Sequence, residues 1–363
     1  MTRIAPFVVA CLLLLAGCMT DHNTPPQTQP GGWRTVAGLT GTPQFLVTIN
    51  GKLFAGLASQ DPADEGKFRR LVSYDPVTGA ATEQQPFPGA ALGEFSYFVL
   101  NNKLYVGLGT APGLDPSATF ELVRHNSEVY AYDPAADRWQ PVPTPMETGQ
   151  LSYLARGATS LTYNNRGLVL YGVYRRRTNG SQQANAPGGI AYTDGQGWGS
   201  NSLHVTETPP FPEPPVGNTG LVARYRVFRV GGFGFTLNNR VYTGGGQLFR
   251  SSAVPEIPDA AETLARDLWA FGAAETGDGK GLNLTLQERL KTPSAEIDLT
   301  GSSQAFTLNN KAYIITRDGG LLTFTPGEWK KLTGVPDGLR FGAGLGNKAY
   351  FIGQNQLLEY TPE

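Results

Sequence analysis

A short motif repeats along the whole chain. It consists of an apolar run, a two-residue Asn or Gly turn, a cation and a second apolar run, as in Leu100-Asn101-Asn102-Lys103-Leu104-Tyr105. Asn and Gly tolerate the positive φ of tight hairpin turns, so each copy predicts a β-hairpin. The six copies have their turns at 50–51, 101–102, 164–165, 238–239, 309–310 and 346–347.

Further apolar segments follow the hairpins. A third segment ends in a turn, as in Tyr130-Ala131-Tyr132-Asp133-Pro134, and the clearest fourth segments begin with Trp. A unit of four antiparallel strands that recurs at tens of residues is typical of a propeller blade. Because the tryptophans recur at equivalent places in the blades, we assign all five to packing: Trp33, Trp139, Trp198, Trp269 and Trp329.

The two ends of the repeat array complement each other. The sixth repeat stops after its third strand, whereas Trp33-Arg34-Thr35-Val36-Ala37-Gly38-Leu39 has the pattern of a fourth strand with no third strand before it. Closing the ring with this segment would leave no exposed sheet edge. The sequence therefore predicts an all-β, six-bladed propeller over residues 33–363, whose last blade is completed by the N-terminal strand.

The order of these segments resembles kelch repeats over nearly the whole mature chain. Kelch units usually carry a Gly-Gly pair after the second strand, and here only Gly244-Gly245-Gly246 does so, where other repeats have Gly107-Leu108 or Thr316-Arg317. The resemblance implies a kelch-like propeller. It implies little about function, because one fold hosts many unrelated functions.

The N-terminus has the pattern of a secretion signal. A short charged start precedes an apolar run that is too short to span a bilayer, and the run ends in Leu15-Ala16-Gly17-Cys18. This ending resembles a bacterial lipobox, which implies cleavage after residue 17 and acylation of Cys18. Residues 18–32 are polar and rich in Pro and Gly, which predicts a flexible tether. By resemblance to lipoprotein sorting, Met19 favours the outer membrane over the inner membrane.

Composition excludes several kinds of partner and cofactor. The chain has 29 Lys and Arg against 30 Asp and Glu, which gives no electrostatic footprint for nucleic acid. Its two cysteines are Cys11 and Cys18, so the mature body cannot form an internal disulfide. The three histidines, at 22, 125 and 204, lack the paired spacing of metal ligands, and we expect no metal and no cofactor.

Long insertions are concentrated on one side of the predicted disc. In an antiparallel blade, the loops from the second to the third strand and those between blades lie on one face, which we name the insertion face. The hairpin turns lie on the opposite face, the turn face. Loops on a rigid scaffold often carry binding residues, so we expect the functional surface on the insertion face, although drift in loop length is an alternative. The insertions cover 58–70, 108–127, 175–189, 206–228 and 247–266.

Arginines are the candidate ligand-binding residues. Two of them, Arg156 and Arg340, open first strands, which line the central channel of a propeller. Arginine suits the bidentate capture of carboxylate or phosphate, although a solvated run of charges balanced by nearby carboxylates is an alternative. The other candidates lie in or beside the insertions: Arg175, Arg176, Arg177, Arg224, Arg226 and Arg229.

Two functions are compatible with these features. The first is a monomeric binding or scaffold module, anchored to the membrane of the cell envelope, whose insertion face holds an envelope protein or a glycan. The second is implied by the kelch resemblance, because the architecture looks like that of the periplasmic kelch mutarotases acting on sialic acid, which need no metal. A mutarotase or epimerase needs a Glu and an Arg that converge in the channel, and the candidates are Glu94 with Arg156 or Arg340.

Overall fold

The computed structural model confirms the all-β propeller. Six antiparallel sheets form six blades around a central channel, and the first strands of consecutive blades contact one another around the ring. Within the described residues, no helix has the length and apolar composition needed to cross a membrane. The described residues are 28–29, 32–113, 124–144, 157–172, 175–178, 181–184, 189–203, 206–207, 225–252, 260–292, 297–302 and 304–362.

Each blade has four antiparallel strands, which follow one another from the channel outward, and in blade four a fifth strand, Ser202–Leu203, pairs parallel with the outermost one. Blades one and two contain Pro43–Ile49, Lys52–Ala58, Phe68–Tyr74 and Ala81–Glu83, then Ser96–Leu100, Lys103–Gly107, Val129–Asp133 and Arg138–Val142. Blades three and four contain Thr159–Tyr163, Arg166–Leu170, Gly189–Thr193 and Gly197–Ser200, then Phe233–Leu237, Arg240–Gly244, Asp267–Glu275 and Leu282–Lys291. Blades five and six contain Gln304–Leu308, Lys311–Ile315, Leu321–Thr325 and Glu328–Lys331, then Leu339–Leu345, Lys348–Gly353, Gln356–Tyr360 and Trp33–Gly38.

The N-terminal strand closes the ring as predicted. Trp33–Gly38 pairs antiparallel with Gln356–Tyr360, so the first described strand of the body completes the last blade. The Trp33 side chain is buried, and its ring stacks on that of Tyr360 with centroids 4.7 Å apart. Two residues of the segment predicted as a tether, Thr28–Gln29, pair with the outer edge of this strand.

The hairpin turns have the backbone conformation that their asparagines predict. Asn101 and Asn102 are both left-handed, with φ of 49° and 58° respectively. The Asn-Asn turns of blades three, four and five do the same, and blade one uses Asn50 and Gly51. Consecutive left-handed residues match the twist of the two flanking strands, which is why these dipeptides fix the register of each hairpin.

A second left-handed pair follows the second strand in four blades, and in blade six it is Gln354-Asn355, the turn into the third strand. In blade four it is Gly245-Gly246, with φ of 63° and 67°. In blades two and three the first position is instead Leu108 at 59° and Tyr171 at 61°, each followed by a glycine that is also left-handed. A side chain at such a position costs about 1–2 kcal/mol. Since Leu108 and Tyr171 are buried, their packing offsets that cost, and the backbone keeps the same shape without the second glycine.

Neighbouring blades are joined by tryptophans of the fourth strands. Trp139 donates its Nε1–H to the carbonyl of Gln85 at 2.9 Å, at the end of blade one. Trp198 makes the equivalent bond to Pro143 at 2.7 Å, at the end of blade two. Each indole therefore fills the gap between two blades and satisfies a backbone acceptor there, which explains why tryptophan recurs at this place in the repeat.

A buried carboxylate secures the ring closure. Glu359 accepts hydrogen bonds from Arg34 Nη2 at 2.8 Å, Lys348 Nζ at 2.7 Å and the Tyr350 hydroxyl at 2.9 Å. Burial alone raises the pKa of Glu359, but the three hydrogen bonds outweigh it and hold the pKa below its ordinary value of 4.5. Because Arg34 belongs to the N-terminal strand, this carboxylate ties the first part of the body to the last blade.

We predict that Glu359→Gln lowers the free energy of unfolding by about 1–3 kcal/mol, because it weakens the buried acceptor of three hydrogen bonds and removes the counter-charge of two half-buried cations. Chemical denaturation monitored by tryptophan fluorescence measures this change. The matched control is Glu288→Gln, which removes an exposed carboxylate 3.8 Å from Arg240 and is expected to cost under about 1 kcal/mol. In the wild type, Glu359 should stabilise the folded protein at pH values above about 4.5 and lose this effect as the pH falls further. The reason is that the pKa of Glu359 is lower in the folded than in the unfolded protein. Equal losses in the two variants would contradict this role.

Candidate functional site

The first strands of the six blades surround a cavity of about 580 Å³ in the central channel. Four half-buried aromatic side chains form much of its wall, namely Phe95, Tyr97, Phe306 and Phe341. A cavity that combines aromatic surface with a few placed polar groups is the usual form of a small-molecule site. Its uncharged polar side chains are Thr48, Tyr97, Ser160, Thr162, Thr236, Gln304 and Thr307.

Hydroxyl groups hold the cavity wall together. Thr162 Oγ1 of blade three donates to the carbonyl of Val99 in blade two at 2.7 Å. Thr48 Oγ1 of blade one donates to the carbonyl of Gly344 in blade six at 2.9 Å. First strands are sheet edges, so these bonds satisfy backbone groups that no strand pairs with. They also fix the spacing of adjacent blades around the cavity.

At the insertion-face mouth of the cavity, blades two, three and four present equivalent residues. Glu94, Gly157 and Gly231 stand at the same distance before their hairpin turns, and all three line the cavity. Gly157 N donates to the carbonyl of Glu94 at 3.0 Å, and Gly231 N donates to the carbonyl of Gly157 at 2.7 Å. The three blades are thus linked directly through these residues.

Glu94 departs from its two equivalents in residue type but not in backbone conformation. Its φ is 48°, against 62° for Gly157 and 66° for Gly231. Glycine takes this conformation without a steric cost, whereas a residue with a Cβ is strained by about 1–2 kcal/mol. Glu94 is exposed, and its carboxylate is the one charged group among the described residues that line the cavity. A strained residue at a cavity mouth favours a functional role for its side chain.

The structure describes only some of the predicted site residues. Glu94 lies at the cavity, whereas Arg340 is exposed, and it is the next residue, Phe341, that lines the wall. Arg156 directly precedes Gly157 in the chain, but Arg156, Arg224 and the predicted lipidation site Cys18 lie outside the described residues. In the described part of the chain, no three His, Cys, Asp or Glu side chains meet as a metal site requires.

The insertions contain strands of their own. Arg175, Arg176 and Arg177 lie in the strand Arg175–Thr178, which forms a hairpin with Ser181–Ala184. Arg226 lies in a separate four-stranded sheet, which we name the second sheet. It joins two insertions that are distant in sequence, because Tyr225–Val230 pairs with Gln247–Ser252. In order across the sheet, its strands are Thr206–Glu207, Tyr225–Val230, Gln247–Ser252 and Ala260–Leu264.

A buried arginine attaches the second sheet to blade four. Arg229 is fully buried, and its Nη2 lies 2.6 Å from Asp267 Oδ1 in the third strand of that blade. Its Nη1 donates to the carbonyl of Gly245 at 3.0 Å, and its guanidinium carbon lies 4.1 Å from the centroid of the Trp269 ring. Arg229 therefore has a structural role, although the sequence offers it as a candidate ligand-binding arginine.

Tyr97 and Gln304 are site residues that the sequence pattern did not single out. Both line the cavity, and the Tyr97 hydroxyl donates to Gln304 Oε1 at 2.9 Å. Burial raises the pKa of Tyr97 to about 12, so the phenol is protonated at neutral pH and remains a donor. The two residues occupy different positions in different repeats, and the only sequence signal was a polar side chain within an otherwise apolar inner strand.

Comparisons with known proteins bear on the fold. No protein-family model matches the sequence, and no curated protein matches it. Among solved structures, the chain is similar to YjhT, a kelch-type propeller, with a TM-score of 0.52 and 13% identity over 92% of this chain and 94% of that chain. The shared feature is the six-bladed propeller. At this identity, the similarity concerns the fold alone.

We predict that Glu94→Gly is more stable to unfolding than Glu94→Ala by about 0.5–1 kcal/mol. Both variants lack the carboxylate, but only alanine keeps a Cβ at a left-handed position, and the relief of that strain exceeds the entropic cost of glycine. Thermal and urea unfolding of the two variants measure the difference.

The reverse substitution serves as the control. Gly157→Ala adds a Cβ to the equivalent position, 2.8 Å from Val230 Cγ1, and is expected to destabilise the protein. An alanine at 94 as stable as the glycine would show that Glu94 is unstrained.

Proposed function

We propose that this protein is a lipid-anchored binding module of the bacterial cell envelope. In this proposal the propeller binds a sugar, free or as part of a glycan, in the mouth of its channel on the insertion face. Glu94 is the residue that carries the proposal, because the chain places a carboxylate where the two equivalent blades have glycine.

The cavity wall supports a sugar as the ligand. Sugars present apolar C–H faces beside hydroxyl groups that donate and accept hydrogen bonds. Half-buried aromatic rings from three blades, including Phe95, Phe306 and Phe341, supply flat apolar surface. Gln304, Ser160 and Tyr97 supply neutral polar groups beside that surface, and Glu94 adds an acceptor at the mouth. A volume of about 580 Å³ accommodates a ligand of one or a few rings.

The same carboxylate favours a second function, the metal-free exchange of sugar anomers. A mutarotase must add and remove protons at the ring oxygen and the anomeric hydroxyl, which a carboxylate near the substrate can do. The hydrogen bond from Gly157 N to the Glu94 carbonyl brings the backbone next to Arg156 close to Glu94. An arginine there would suit the carboxylate of an acidic sugar. It would also form the pair of Glu94 and Arg156 that the sequence predicts.

The envelope location in the proposal rests on the sequence. The Leu15-Ala16-Gly17-Cys18 ending supports acylation of Cys18, and the segment from 18 to 32 supports a tether between the lipid and the propeller. An outer-membrane position is part of the same proposal. The insertion face, with its hairpin at 175–184 and the second sheet, offers a further surface for an envelope protein or for the rest of a glycan.

The test is a sugar panel: glucose, galactose, N-acetylglucosamine, glucuronic acid and N-acetylneuraminic acid. Saturation-transfer NMR measures binding, and exchange spectroscopy on the same samples measures the rate of anomer exchange. We predict that at least one sugar binds the wild type and that Glu94→Gln weakens its binding about tenfold or more, because a charged acceptor is replaced by a neutral one.

The two readouts separate the two functions. Binding without faster anomer exchange supports the binding module, and exchange that depends on Glu94 supports the mutarotase. Glu128→Gln, which removes an exposed carboxylate outside the cavity, is the matched control and should leave both readouts unchanged. A panel in which no sugar binds, or binding unaffected by Glu94→Gln, would overturn the proposal for the cavity.

We predict that the full-length chain incorporates labelled palmitate in a bacterial host and that Cys18→Ser does not. The thiol of Cys18 is the acceptor that the lipobox resemblance implies. Cys11→Ser, which changes the only other cysteine, controls for disturbance of the signal sequence. Label in the Cys18→Ser variant would contradict the anchor without affecting the cavity.

A further inference from the structure

The hydrogen bond between Tyr97 and Gln304 crosses the channel. Tyr97 lies in the first strand of blade two, and Gln304 lies in the first strand of blade five. In a ring of six blades these two stand opposite each other. A bond of 2.9 Å between their side chains therefore spans the diameter of the channel.

Both partners are held in place from behind. The Tyr97 ring stacks on Phe45 with centroids 4.8 Å apart, and its backbone N–H donates to Ser160 Oγ at 3.1 Å. Gln304 Nε2 points toward the carbonyl of Gly342 at 3.4 Å, a long contact to blade six. We name this hydrogen-bonded pair the Tyr97–Gln304 bridge. It is supported by blades one, three and six, in addition to the two blades that it connects.

The bridge lies partway down the channel. Along the blade-two strand, Tyr97 stands between Glu94 at the insertion-face mouth and the hairpin turn at Asn101. Glu94 is a left-handed residue two positions before the strand Ser96–Leu100, so Tyr97, three positions farther along the chain, lies at most about 10 Å deeper. One sugar ring fits within that depth. Beyond the bridge, on the side of the turn face, the wall carries Thr48, Thr162, Thr236 and Thr307.

Tyr97 and Gln304 can still donate and accept hydrogen bonds after the bond between them is made. The Tyr97 oxygen and Gln304 Oε1 each keep a lone pair, and Gln304 Nε2 keeps a proton beyond the one directed at Gly342. Both side chains line the cavity, so these groups face any ligand that descends from the mouth. A hydroxyl group, which both donates and accepts, matches this pair of residues.

We propose that the Tyr97–Gln304 bridge is the floor of the binding site, and that the site takes the terminal unit of a glycan or a free monosaccharide. A sugar that enters at Glu94 would place a hydroxyl on the bridge and stop there. A polymer could not thread through the channel without breaking the bond, so this floor favours a chain end over an internal unit. This inference rests on the proposed function, because it assigns the inner end of the same site.

The test uses the sugar from the panel that binds the wild type most tightly. Tyr97→Phe keeps the ring and its stacking on Phe45 but removes the hydroxyl, and we expect the dissociation constant of that sugar to rise about tenfold, the effect of one lost hydrogen bond. Isothermal titration of the full-length protein in detergent measures it. Tyr163→Phe is the matched control, because it removes a first-strand hydroxyl that bonds Asn239 Oδ1 at 3.1 Å and does not line the cavity.

A chain-length series tests the terminal mode. For the mono-, di- and tetrasaccharide of the same sugar, we expect the stoichiometry to remain one protein per chain. Two or more proteins per tetrasaccharide would indicate internal binding and overturn the terminal mode.

The outcomes distinguish this inference from the function on which it rests. Loss of binding in Glu94→Gln with wild-type binding in Tyr97→Phe would overturn the floor and leave the sugar site standing. Equal weakening in Tyr97→Phe and Tyr163→Phe would assign the effect to general destabilisation and also overturn the floor. If no sugar binds the wild type, the proposed function fails, and the floor fails with it.

Discussion

Unpaired backbone groups at the edges of small sheets are the constraint on which this structure depends. A four-stranded blade has two edges, and the backbone groups of any edge that is buried need hydrogen-bond partners. At the outer edge of blade six, Trp33–Gly38 supplies the missing strand, and Glu359 ties it to residues of the last blade. At the inner edges, Thr48 and Thr162 donate hydroxyl protons to carbonyls of the neighbouring blade. These hydroxyl bonds therefore fix the positions of the first strands around the channel, independently of any ligand.

Positions at which one blade departs from the repeat are more informative about function than the repeat itself. Glycine at Gly157 and Gly231 shows that the backbone at the mouth is left-handed, and a glutamate at the equivalent position in blade two takes that conformation at a steric cost. Leu108 and Tyr171 provide the contrast, because they also replace glycine at left-handed positions but are buried and gain packing in return. Glu94 is exposed and gains no such packing. Strain compensated by burial indicates a structural role, whereas strain at an exposed residue of a cavity mouth favours a functional one.

The insertion face combines a fixed rim with additional structure. The second sheet joins the insertion before blade four to the insertion within it, and Arg229 fixes their junction to Asp267 and Trp269. From Arg229 the chain passes through Val230 directly to Gly231 at the cavity mouth. Insertions that look like separate loops in the sequence are therefore anchored beside the site, where they can contribute to the recognition of a ligand larger than the cavity.

The sequence by itself determined the architecture, and the tertiary structure decided the composition of the site. Repeated Asn-Asn turns, fourth-strand tryptophans and the complementary ends encode local geometry, which a linear pattern can reveal. The sequence offers Glu94 only as the carboxylate of a Glu–Arg pair in the channel. Its strain, the absence of Arg340 from the described cavity wall, and the bond between Tyr97 and Gln304 depend on how opposite and adjacent blades face each other. Contacts between residues 207 positions apart arise only when the ring closes, and no local pattern records them.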